Sequence, residues 1–147
     1  MDQTLKQAIF KGNILKVKEL VEQGIDIHKY NDCALRLSAE NGNFELVKYL
    51  VEQCSADIHA EDDYVLRWAA RIGHIEILKY LVEQGANIHA LDNYAIRFSA
   101  KNGYIEVVKY LVSLGANIHA DNELSLMWSA QNGHLEVVKY LVEQGVN

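Results

Sequence analysis

Apolar residues in this chain fall into two short helical stripes, and the pair of stripes recurs. Between residues 62 and 85, Leu66, Ala69 and Ala70 share one face at helical spacing. Ile75, Leu78, Leu81 and Val82 form a second stripe. Gly73 and Gly85 close the two predicted helices, because a residue without a Cβ takes the left-handed conformation at little cost. Asp62-Asp63 offers side-chain oxygens as an N-cap for the first helix. Ala86-Asn87-Ile88-His89-Ala90 reads as a short extended connector to the next unit.

The same words return along the chain. Gly12 recurs as Gly42, Gly73, Gly103 and Gly133, in steps of 30, 31, 30 and 30 residues, and Lys18 recurs as Lys48, Lys79, Lys109 and Lys139. Neither helix of a unit can bury its stripe alone, so a fixed period of this size predicts a stacked solenoid. Leu50, Leu81, Leu111 and Leu141 are expected to form one buried column. Units are placed at 1–29, 30–60, 61–90, 91–120 and 121–147. The second has one extra residue at Cys54-Ser55, where a bulged turn is expected. The first places Gln7, Lys16 and Glu19 at stacking positions, as a capping repeat requires. The last keeps Trp128, Val137 and Tyr140, so its outer face is expected to be apolar. Tolerated exposure, self-association and a longer parent array all remain open as explanations.

A chain of 147 residues with formal net charge −6 does not fit a protein devoted to nucleic acid, which needs concentrated Lys and Arg. Cys33 and Cys54 occupy unrelated register positions, which points to a reducing compartment. The start, Met1-Asp2-Gln3, is polar, and no apolar run approaches the ~20 residues of a membrane span. The sequence therefore predicts an intracellular, cytoplasmic protein.

The segment Ala-Ala-Arg-Ile-Gly-His-Ile-Glu-Ile-Leu-Lys-Tyr-Leu-Val-Glu-Gln-Gly-Ala-Asn-Ile at 69–88 resembles the second half of an ankyrin repeat, and the resemblance runs through essentially the whole chain. It implies an all-α ankyrin-repeat solenoid of helix-turn-helix units. The family's unit has 33 residues and opens on Thr-Pro-Leu-His. Here the unit is shorter, there is no proline, and the opening reads Cys33-Ala34-Leu35-Arg36, Tyr64-Val65-Leu66-Arg67, Tyr94-Ala95-Ile96-Arg97 and Leu124-Ser125-Leu126-Met127. The shortening falls in the connector, so the family's projecting hairpin is expected to be a trimmed, tight loop. Short proline-free units of this kind resemble the ankyrin arrays of giant viruses of amoebae, which would make the partner a host protein and the compartment the host cytoplasm.

The resemblance also implies a concave face of first helices and connectors that binds another protein without catalysis or cofactor. Positions that vary between units while the frame stays fixed locate candidates on it. In the connectors these are Tyr30 and Leu91, and at the loop-to-helix junctions Tyr64 and Tyr94. At the first-helix end stand Glu40, Arg71, Lys101 and Gln131. Between them runs the series Leu37, Trp68, Phe98 and Trp128. It points about 200° away from the Leu66-type position, as packing between repeats or as an aromatic stripe for a ligand. Arg36, Arg67 and Arg97 flank it, either bonded to loops or forming a basic ladder for an acidic or phosphorylated peptide. Tyr49, Tyr80, Tyr110 and Tyr140 read as frame residues.

His28, His59, His89 and His119 recur once per unit, ~10 Å apart if stacked. That is too far for one zinc ion, whose ligands lie ~2 Å from the metal, so a loop hydrogen bond is expected. The Asn-Gly pairs read as helix caps. No nucleophile–base set or phosphate loop is present, and the chain reads as a protein-binding scaffold. The alternative is an assembly protein that self-associates weakly through its C-terminal unit.

Overall fold

The computed structural model describes residues 1–146. Its elements are ten helices in sequence: α1 Gln3–Phe10, α2 Ile14–Glu22, α3 Lys29–Glu40, α4 Phe44–Cys54, α5 Ala60–Ile72, α6 Ile75–Glu83, α7 Ala90–Lys101, α8 Ile105–Ser113, α9 Ala120–Gln131 and α10 Leu135–Glu143. Odd and even helices pair as helix-turn-helix units. The chain divides into two compact units, Met1–Val65 and Leu66–Asn147. In the first, α1 packs on α2 and α3, and α3 on α4; in the second, α7 packs on α8 and α9, and α9 on α10.

The pairs are built by the expected punctuation. Gly12, Gly42, Gly73, Gly103 and Gly133 all have positive φ and turn each first helix into its second. The glycine has a further role. A Cβ on Gly73 would lie 2.5 Å from the Tyr104 ring, and one on Gly103 would lie 2.4 Å from the His134 ring. A Cβ on Gly12 would likewise lie 3.0 Å from Asn43, so the residues that open α4, α8 and α10 rest on the glycine of the preceding pair. Asn43 also caps α4 by accepting from the Leu46 N–H at 3.0 Å.

Leu50, Leu81, Leu111 and Leu141 are all fully buried, each in the core of its own unit. The stripe of α6 differs by one step from expectation. Ile77, Leu78 and Leu81 face inward, whereas Ile75 and Val82 lie half-buried at its edges. Position 77 lies one turn before 81, so the two share the inner face.

The opening turns of α3, α5, α7 and α9 hold the chief departure. Three successive residues have left-handed φ at Tyr30–Asp32, Glu61–Asp63, Leu91–Asn93 and Asp121–Glu123. Asp62 and Asp63 therefore do not sit in the extended conformation of an ordinary N-cap. Left-handed backbone costs a non-glycine residue ~1–2 kcal/mol, so it needs compensation. The recurring histidines supply part of it. His28 Nδ1 bonds Asp32 at 2.8 Å, His59 bonds Asp63 at 3.0 Å, His89 bonds Asn93 at 2.8 Å and His119 bonds Glu123 at 2.7 Å. The Asn93 side-chain oxygen also accepts from the Asn117 N–H at 3.0 Å, which ties one connector to the next.

The extra residue of the second pair extends α4 through Cys54, and Ser55 takes the left-handed turn at φ 55°. The Ala56 N–H still reaches the Leu50 carbonyl, as the Ala86 N–H reaches that of Leu81. The closing bond is kept and the inserted residue swells the ring it closes.

Candidate functional site

Trp68, Phe98 and Trp128 occupy one register position on α5, α7 and α9, and in the second unit they form a strip with the cations beside them. Phe98 stacks on Tyr94 with centroids 3.9 Å apart and meets Trp128 edge-on at 5.2 Å. The Arg71 guanidinium lies 4.6 Å from the Trp68 ring and 5.4 Å from Phe98. The Lys101 ammonium lies 5.4 Å from Phe98 and 4.8 Å from Trp128. Arg67 lies over Tyr94 at 5.1 Å. All these side chains are half-buried. Phe98 and Trp128 pack between repeats, and the rings carry cations along the same strip.

Hydrogen bonds tie the strip to its neighbours. Arg71 Nη1 donates to the Tyr94 hydroxyl at 3.1 Å. The Asn102 side-chain N–H donates to the Arg71 carbonyl at 2.7 Å, and that of Asn132 to the Lys101 carbonyl at 3.1 Å. The main chain at each strip cation is therefore tied to the asparagine that caps the following first helix. Sequence reading took these asparagines only as caps; their offset of 31 residues from the residue they hold is the signal that would have shown more.

The arginine series behaves differently. Arg36 pairs with Glu61 at 2.7 Å and donates to the Tyr30 carbonyl at 3.0 Å. Arg97 pairs with Asp121 at 3.0 Å and donates to the carbonyls of Asp92 and Leu91. Both charges are matched, and both side chains brace the left-handed opening turn of their own helix. The register position that provides Glu61 and Asp121 is Leu91 in the unit after Arg67, so the ladder is not uniform. Neither Arg71 nor Lys101 pairs with a carboxylate among the described residues.

The junction tyrosines are anchored. In the first unit, the Tyr64 hydroxyl donates to Glu40 at 2.9 Å, and its ring lies 5.2 Å beneath Arg36. Burial, then the bond to Glu40, pushes the Tyr64 phenol up to about 12. The connector residues Tyr30 and Leu91 stand out from the surface, 65% and 50% exposed, both at positive φ. On the second helices, Lys18 lies over Tyr49, Lys79 over Tyr110 and Lys109 over Tyr140 at 5.2, 5.4 and 5.9 Å. These contacts staple one pair to the next. No helix of the described residues is long and apolar enough to cross a membrane.

A family model described as "Ankyrin repeats (3 copies)" matches residues 5–92 and again 66–147. No curated protein matches the chain.

Proposed function

The chain belongs to the ankyrin repeat family, and from that we propose that it is a protein-binding scaffold whose partner docks on the face made by the first helices and connectors. The second unit holds the main contact: Trp68, Arg71, Phe98, Lys101 and Trp128, with Tyr94, Arg67 and Leu91 beside them. One observation carries this reading. Two half-exposed cations sit among aromatic rings, with no carboxylate of the described residues on either. A cation with no carboxylate beside it keeps hydrogen-bond donors and charge for an anionic group of a partner. Aromatic residues and arginine are also the types that dominate binding energy. Arg36 and Arg97 serve mainly to shape the connectors, and Tyr30 and Tyr64 give the first unit a smaller share of the surface. The resemblance of the short units to arrays of amoebal giant viruses favours a host protein as the partner.

A displayed random-peptide library, selected on the folded chain, tests the reading. Selected peptides are expected to bind a Lys79→Ala variant normally and a Trp68→Ala/Lys101→Gln variant at least ~10-fold more weakly, as for removal of a hot spot. Peptides that follow the second-helix variant instead would place the site on the other face.

The exposure of Leu135, Met127 and Val142 on the last helix pair favours a second reading, weak self-association. Sedimentation velocity over a wide concentration range should then show a dimer that a Leu135→Glu change removes. A monomer at every concentration would dismiss it.

A further inference from the structure

We propose that the strip selects an extended acidic peptide whose two carboxylates stand three residues apart, one on Arg71 and the other on Lys101. The inference rests on the scaffold reading above and names the chemistry of its partner.

The strip's ring surfaces are already occupied. Tyr94 stacks on Phe98, Trp128 meets it edge-on, Arg71 covers Trp68, and Lys101 covers Trp128. Little ring face is left for a nucleobase or an aromatic side chain to stack upon. What the strip still offers is hydrogen-bond donors on the two cations. Arg71 spends Nη1 on the Tyr94 hydroxyl and keeps other N–H groups for a ligand. Lys101 has three ammonium donors. An anion is the natural complement, and a planar carboxylate suits the guanidinium fork. Because the rings restrict both side chains, and the Tyr94 hydroxyl restricts Arg71 as well, little freedom is lost when an anion binds.

Spacing selects the peptide. Arg71 and Lys101 both lie 5.4 Å from the Phe98 centroid, so they stand no more than twice that distance apart. Adjacent packed helices lie ~8–10 Å apart. A polyproline II segment has three residues per turn at ~3.1 Å each, so residues i and i+3 share a face ~9 Å apart. An ordinary strand places i and i+2 on one face only ~6.6 Å apart. The next residue in the register is Gln131, which is neutral, so a third carboxylate toward the C-terminus gains no charge partner there.

Short fluorescein-labelled, proline-rich peptides carrying two glutamates at offsets of two, three or four residues test the proposal by anisotropy with the full chain. The offset of three is expected to bind best, and changing either glutamate to glutamine should weaken it by about tenfold, the usual worth of a charge-assisted bond. Arg71→Gln and Lys101→Gln should each produce the same loss, with Arg36→Gln, in the other unit, as the control. A charge swap guards against a variant that merely disturbs packing: Lys101→Glu should prefer a peptide with one glutamate replaced by lysine. Equal binding at all offsets, no binding by any of these peptides, or tighter binding of oligodeoxythymidylate would each overturn the proposal. If library-selected peptides still depend on Trp68 while showing no paired acids, the scaffold reading stands and only this inference fails.

Discussion

Tyr64 shows how a single side chain in this array serves structure and surface together. Its hydroxyl bonds Glu40, and its folded pKa near 12 lies above the ordinary 10. A raised phenol pKa means that the neutral form favours the fold. Its stabilising effect is whole below pH 10 and is lost as pH rises through about 12. A tyrosinate absorbance titration should show a late step near pH 12 that disappears in Tyr64→Phe; an unchanged curve would detach Tyr64 from Glu40 in solution. Gly73 makes a second residue-scale case. Gly85→Ala places a Cβ at positive φ in open space and should cost ~1 kcal/mol. Gly73→Ala meets the Tyr104 ring as well and should cost ~1–3 kcal/mol more by urea unfolding, relieved in Gly73→Ala/Tyr104→Ala. Equal costs for the two single changes would mean that the Tyr104 ring moves aside freely.

Among the elements, the second helices form the frame and the first helices carry the variation. Leu81 on α6 is fully buried, so Leu81→Ala should cost ~2–5 kcal/mol in a urea titration. A loss under ~1 kcal/mol would place it outside the core. Much at this scale was legible. The glycine period and the leucine column follow from spacing, because an unsupported helix pair must stack to bury its stripe. The connectors were not legible in the same way. Three left-handed residues in succession, drawn from Tyr, Leu, Asn, Asp and Glu, carry no glycine to announce them. They are held by bonds from the histidines and arginines, which local propensity does not include. The arginine series misled for a related reason. Arg36 and Arg97 look like free cations within their own unit, and their partners Glu61 and Asp121 lie in the next one.

For the molecule as a whole, the sequence points to a binding scaffold but distributes candidate contacts evenly over its repeats. One register position is less even. Glu40, Arg71, Lys101 and Gln131 share one register position, yet only Arg71 and Lys101 place a cation there, and both are in the second unit. The chain carries net charge −6, so this strip is a local exception to the acidic character of the protein. The most direct test is amide chemical-shift mapping of the labelled chain with a library-selected peptide at saturation. The expected result is a cluster of perturbed amides on α5, α7 and α9, centred on Trp68–Arg71 and Phe98–Lys101, together with the connector at Leu91. Perturbations confined to α6, α8 and α10 would contradict the account, because they would place the partner on the frame instead of the strip.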